Sequence, residues 1–289
     1  MLGERGRLVV SRTNEGEHPP PLVPGDLRHD VRGRAEAVEP EPLRVAVAAN
    51  FQVPAEEIVR SFEQATGHDV EISAGSTGAL YAQITHGAPF DVFLAADQER
   101  PRRLEHEATA VAGSRFTYAL GRLALWSPRP GFVDDAGEVL AGGGFERLAL
   151  ANPRLAPYGA AARQVLEARG LWAEVEGKIV LGQDVGQAYQ FIASGNAALG
   201  FVPLSYLDRP GWRAEGGWWL VPEDLHDPIA QDAVLLTDSP TARAFLARQL
   251  RVGDVRRVQH RLRREQGQRP QRTRCLVRRT LRDLVRRRI

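Results

Sequence analysis

The chain has 289 residues, 43% of them hydrophobic, and a formal net charge of +2. That is enough apolar material for the cores of two ordinary domains, and no run of about 20 apolar residues is present to cross a membrane as a helix. The small net charge conceals an asymmetry: positions 248–289 hold 16 Arg and three acids, leaving 22 basic against 33 acidic residues over positions 1–247.

An acidic body with a basic end removes the basic pI as an argument for nucleic-acid binding by the folded part. The single Cys275 lies in the basic end, so neither an internal disulfide nor a cysteine metal site is available. Residues 1–42 carry Pro19, Pro20, Pro21, Pro24, Pro40 and Pro42 and no apolar export-signal core, and they read as a structureless leader.

Folding signals begin at Leu43, where Leu43-Arg44-Val45-Ala46-Val47 alternates as a strand does. A helix follows, with Pro54, Glu56 and Glu57 near its start, Ile58, Val59 and Phe62 as its buried stripe, and Gly67 as its stop. Val70-Glu71-Ile72 is a second strand, and Gly75-Ser76-Thr77-Gly78 leads into a helix carrying Leu80, Tyr81 and Ile84. Phe90 to Leu94 is a third strand. This strand and helix succession predicts a parallel sheet covered on both faces, with ligands at the carboxyl ends of its strands.

The pattern repeats after an apolar strand predicted over Tyr118 to Trp126. Gly142-Gly143-Gly144 reads as a loop and Leu148-Ala149-Leu150 as a strand, followed by a helix over Ala160 to Arg169 that Gly170 stops. Lys178 to Leu181, Val185 to Ser194 and Ala198 to Val202 then read as strand, helix and strand. Trp218-Trp219 reads as a short strand or loop packed between lobes. From Phe245 onward the density of Arg leaves little to bury.

Four strand-to-helix junctions stand out: Ala49-Asn50, Ser76-Thr77, Pro157-Tyr158-Gly159 and Asp184-Val185. A helix N-terminus presents unpaired N–H groups and a partial positive charge, so four that converge would hold a dianion without Lys or Arg. Each taken alone is also an ordinary helix cap. Enzyme signatures are absent: there is no nucleophile elbow, phosphate loop or zinc-type histidine pair, and His68, His86, His106 and His226 are scattered. Asp91 and Asp97 flank a strand, where capping and solvation are their plain roles.

The order and spacing of Val45 to Asn50, Gly75 to Ile84, Gly87 to Asp97, Ala151-Asn152-Pro153, Pro157-Tyr158-Gly159, Gln183-Asp184-Val185 and Ala198 to Pro203 resemble the molybdate-binding proteins of ABC importers. The resemblance spans roughly residues 43–247 and implies an α/β, two-lobed type II periplasmic-binding fold. Each lobe is then a mixed, mostly parallel sheet flanked by helices. It divides the chain into lobe one (43–121 plus 222–247), lobe two (122–221) and an atypical Arg-rich tail (248–289). On this resemblance Asn50 and Ala49 contact the oxyanion from the first loop, Ser76 supplies a hydroxyl with Thr77 as the alternative, and Tyr158 and Val185 supply backbone donors. Where some members carry a tyrosine after the Ala-Leu-Gly-Phe-Val strand, this chain has Pro203.

What the resemblance implies is a monomeric, extracytoplasmic binding protein and not an enzyme, with molybdate or tungstate as ligand and an ABC permease as partner. No cofactor, directly ligated metal cation or nucleic acid is implied. Another tetrahedral oxyanion, sulfate or phosphate, is the alternative on the same fold. A regulator's effector domain would need a DNA-reading helix pair before the first strand, which residues 1–42 do not supply. The abrupt change of composition after Ala247 is of the kind a frameshift leaves, and resequencing the locus tests that explanation.

Overall fold

The structure, a computed structural model, describes residues 41–209 and 212–249. Nearly all of the expected leader and tail lies outside these residues. The first part of the chain forms β1 (Leu43–Ala48), a 3₁₀ turn (Ala49–Phe51), α1 (Gln52–Thr66), β2 (Val70–Gly75), α2 (Thr77–Thr85), β3 (Val92–Leu94), α3 (Glu99–His106) and β4 (Phe116–Gly121).

The middle forms β5 (Leu123–Ser127), α4 (Val139–Gly142), β6 (Leu148–Ala151), α5 (Pro157–Ala168), α6 (Trp172–Val175) and β7 (Ile179–Gly182). It continues with α7 (Val185–Ala193), β8 (Leu199–Pro203), α8 (Leu204–Leu207), the two-residue pair β9 (Asp208–Arg209) and β10 (Trp212–Arg213), and β11 (Gly217–Leu220). The chain then returns through β12 (Ile229–Leu235) and α9 (Pro240–Gln249).

Local chemistry accounts for the elements that position the site. In α1, Ala55, Val59 and Phe62 recur at helical spacing and are buried, Pro54 sits in the first turn where its missing N–H costs nothing, and Gly67 ends the helix at φ 71°. Pro157 occupies the first turn of α5, so this helix begins three residues earlier than the apolar pattern from Ala160 suggests.

Two five-stranded sheets result, ordered β2-β1-β3-β12-β4 and β11-β5-β8-β6-β7. In each, three neighbouring strands are parallel and the other two join antiparallel. The parallel ones are those followed by helices, and their carboxyl ends therefore deliver helix N-termini to one edge. The fold is the expected α/β two-lobed arrangement, one lobe on each sheet.

The first sheet is covered on one face by Phe62 and Phe245, which meet edge to face at 5.3 Å, and on the other by Leu80, Ile84 and Leu104. The second is covered by Leu166, Val165 and Phe145 on one face and by Ile192 and Leu207 on the other.

The structure departs from the sequence reading at the crossing between the sheets and at one added strand. The apolar run from Tyr118 to Trp126 is not one strand: it breaks at Gly121-Arg122, with β4 in the first sheet and β5 in the second. Trp218 and Trp219 lie in a short strand, β11 of the second sheet, where the Arg169 guanidinium covers Trp219 at 5.3 Å. Strand β12, wholly buried but for one residue, was not anticipated; Gln231 and Asp232 at its centre interrupt the apolar pattern that marks a strand.

Candidate functional site

The four junctions singled out in the sequence meet. A small cavity, partly open to solvent, is walled by Ala48, Ala49, Asn50, Gly75, Ser76, Thr77, Ala96, Ala156, Pro157, Tyr158, Asp184 and Val185. All six expected contacts, Ala49, Asn50, Ser76, Thr77, Tyr158 and Val185, are among them, from both sheets, and no Lys, Arg or His is.

The helix termini around it have most of their first-turn N–H groups assigned. At α2 the Ser76 hydroxyl accepts from Ala79 N at 3.3 Å, the Ser76 carbonyl accepts from Leu80 N, and Gly78 N donates to Leu155 O in the other lobe at 2.8 Å. The Thr77 N–H is left. The Thr77 hydroxyl is turned back into its own lobe, accepting from Ala96 N at 3.1 Å, so both hydroxyls act as acceptors of a backbone N–H and each keeps its own proton uncommitted by these bonds.

At α7 the Asp184 carboxylate accepts from Gln187 N at 3.0 Å and its carbonyl from Ala188 N, leaving Val185 and Gly186. At α5 Pro157 has no N–H, and Gly159 and Ala160 donate to Ala156 O, leaving Tyr158. The groups left over are backbone donors at positive helix ends, the arrangement suited to an anion.

Asn50 is held from both lobes. Its side-chain Nδ2 donates to Gln231 Oε1 at 2.8 Å, while its carbonyl accepts from the Ser205 hydroxyl at 3.1 Å and the Ala49 carbonyl accepts from the Tyr206 hydroxyl at 2.8 Å. In a trans peptide the N–H points opposite the carbonyl. Tyr206, by holding the Ala49 carbonyl, therefore turns the Asn50 N–H away from α8.

Behind this loop lies a buried polar cluster that sequence reasoning missed. Gln231 Oε1 also accepts from the Tyr118 hydroxyl at 3.1 Å, and Gln231 Nε2 donates to the Tyr158 hydroxyl at 3.4 Å. Burial pushes both phenols up, well above the usual tyrosine range in the case of Tyr118, so both stay neutral at physiological pH. An ionised phenolate would repel an anion; none forms. Anion affinity is accordingly expected to stay level between pH 6.5 and 9, roughly within threefold; a fall toward pH 9 in titrations across that range would show a tyrosine ionising at the site.

At the rim Asp97 and Arg100 pair, and Arg100 Nη2 reaches across to the Arg154 carbonyl at 3.2 Å. Burial raises the Asp97 carboxyl pKa, and the Arg100 charge opposes the shift. Asp97 also caps α3 by accepting from Arg100 N at 3.0 Å, while Asp91 accepts from Arg44 N at 2.9 Å, so the two acids do not pair with each other. Among the described residues no group of three or more His, Cys, Asp or Glu is placed to hold a metal ion, and no helix is long and apolar enough to cross a membrane.

Comparison with known proteins gives a consistent picture. The family model for bacterial extracellular solute-binding proteins matches residues 43–248. The molybdate-binding protein ModA of Azotobacter vinelandii is 53% identical over 213 residues, which is 73% of this chain and 84% of that protein. ModA of Rhodobacter capsulatus is 49% identical over 205 residues, 70% of this chain and 79% of that one. The solved periplasmic molybdate-binding protein of Azotobacter vinelandii superposes with a TM-score of 0.69 at 43% identity, over 71% of this chain and 91% of that chain.

Proposed function

Because the chain belongs to the bacterial extracellular solute-binding proteins, and among them to the molybdate-binding proteins, we propose that it captures molybdate or tungstate between its two lobes. It hands the anion to an ABC permease outside the cytoplasm, works as a monomer and performs no chemistry on what it carries. The observation that carries this reading is the convergence of Ala49, Asn50, Ser76, Thr77, Tyr158 and Val185 on one cavity without a cationic side chain. Lobe one is residues 43–121 plus 222–247 and lobe two is 122–221, an assignment supported by the ends of β4 at Gly121 and β11 at Leu220.

The donors assigned to the oxyanion are the Ser76 hydroxyl and the N–H groups of Asn50, Thr77, Tyr158 and Val185, with Ala49 in contact beside them. Neutral donors fixed on helix ends neutralise a dianion through many partial charges. No countercharge clings to the anion when the lobes part, so release stays fast. The one acid in the wall, Asp184, is committed to Gln187 N. A hydrogen phosphate needs an acceptor for its own proton, and a wall dominated by N–H and O–H donors favours a fully deprotonated dianion. Size then separates molybdate and tungstate from the smaller sulfate.

Isothermal titration of the full chain with molybdate, tungstate, sulfate and phosphate tests the reading. One-to-one binding of the first two and silence from the others is expected; silence from molybdate in a folded sample would sink it. Ser76→Ala removes a hydroxyl donor to a charged ligand and is expected to weaken molybdate binding about tenfold. An unchanged affinity in the same titration would remove Ser76 from the contact set.

A further inference from the structure

Gln231 is 2% exposed and lies in β12, where the register with β4 slips: Gln231 faces Ala119 but Asp232 faces Thr117, with Tyr118 the extra residue of the bulge. Bulges re-aim side chains, and they recur beside functional sites. This one is pinned by Asp232, whose buried carboxylate accepts from Thr117 Oγ1 at 2.6 Å and Gln98 Nε2 at 3.1 Å and pairs with Arg115. With Asp232 anchored on its side of the strand, the neighbouring Gln231 amide is delivered to the back of the cavity.

There the amide has its orientation dictated. Its oxygen accepts from Asn50 Nδ2, the Tyr118 hydroxyl shares its one proton between this oxygen and the Ala95 carbonyl, and its nitrogen donates to the Tyr158 hydroxyl. A flip would set amide hydrogens against amide hydrogens at Asn50, a buried mismatch. Asn50 and Tyr118 belong to the same sheet's lobe as Gln231, whereas Tyr158 heads α5 beside the other sheet. Gly121, where the chain leaves the first sheet, has no side chain, and a Cβ there would collide with the Tyr158 hydroxyl.

We propose that Gln231 is a positioning residue for the anion site: it fixes the Asn50 side chain and, through Tyr158, ties that placement to closure of the lobes. This rests on the oxyanion-binding reading above. Gln231 itself does not line the cavity, so it acts through the residues that do. Its loss costs affinity by letting Asn50 and α5 wander when the lobes close.

The test is a double-mutant cycle of Gln231→Met and Asn50→Ala, read by molybdate titration, with ligand-free melting recorded for every variant. Methionine keeps the length and packing while removing both hydrogen-bonding ends. Gln231→Met alone is expected to weaken binding about tenfold or more, and to cost no more than about threefold further in the Asn50→Ala background, because residues acting as a unit are not additive.

A merely structural role would make the two losses multiply, and that result, or an affinity for Gln231→Met within about twofold of the parent, overturns the proposal. If Gln231→Met does not fold, Gln231→Asn, whose shorter amide cannot reach both lobes, takes its place with the same expectation. Absence of molybdate binding by the parent chain overturns the oxyanion reading itself, an outcome distinct from parent binding that Gln231→Met leaves intact.

Discussion

Gly78→Val is expected to weaken molybdate binding by about 100-fold, ~2.8 kcal/mol, while leaving the ligand-free melting temperature within a few degrees of the parent. The reason is the contact that α2 makes with the opposite lobe. Gly78 N donates to Leu155 O at 2.8 Å, and a Cβ at Gly78 would stand 2.9 Å from that oxygen and 3.0 Å from the Leu155 Cα.

Both atoms belong to the backbone, which cannot swing aside as a side-chain tip can. Valine would place three carbons in that gap and hold the lobes apart, whereas with the lobes parted the near neighbour that remains is Arg100 Nη2, 3.2 Å from the added Cβ, the tip of a flexible side chain that can move aside. The cost therefore falls on the closed, anion-holding state alone. Titration together with a melting curve separates the two effects. An unchanged affinity would mean that α2 does not need to approach Leu155 for binding, and an unfolded variant would mean that Gly78 serves stability instead.

Arg115→Met carries the largest expected loss of stability. Asp232 has no exposed side-chain surface, and its partner Arg115 also holds Glu105 through Nε at 3.0 Å. Removing the guanidinium leaves a buried carboxylate with only Thr117 and Gln98 as donors, a loss that runs to about 3–5 kcal/mol when one member of a buried pair is deleted. Chemical denaturation measures it, and Asp232→Asn in the same background should recover part, since the uncompensated charge is then gone. Equal stability of Arg115→Met and the parent would show that the hydroxyl and amide donors suffice.

The legible half of the molecule was the half with local signals. Ser76 and Asp184 declare themselves as caps by residue type, and the parallel strands with their helices follow from apolar runs closed by Gly67, Gly170 and Gly195. The convergence of four junctions was carried by resemblance, because no local pattern says which strand ends share an edge.

What stayed hidden was non-local. Gly121-Arg122 marks a change of sheet, yet apolar residues flank it on both sides, so nothing in the run from Tyr118 to Trp126 signals the crossing. Gln231 and Asp232 gave the one available hint, two long polar residues set within Ile229 to Leu235. Each needs partners more than 100 residues away to be satisfied, Asn50 for the first and Arg115 or Thr117 for the second.

The return of β12 into the first sheet shapes how the molecule is made. It sits between β3 and β4 and hydrogen-bonds to both, so until residues 229–235 have joined, the first sheet lacks an interior strand. The second sheet, drawn from one continuous stretch, meets no such delay. Long-range pairing of this kind raises contact order and slows folding. For that interval β3 and β4 present two unpaired, apolar edges to the surroundings, the surfaces most prone to mispairing in a half-made chain.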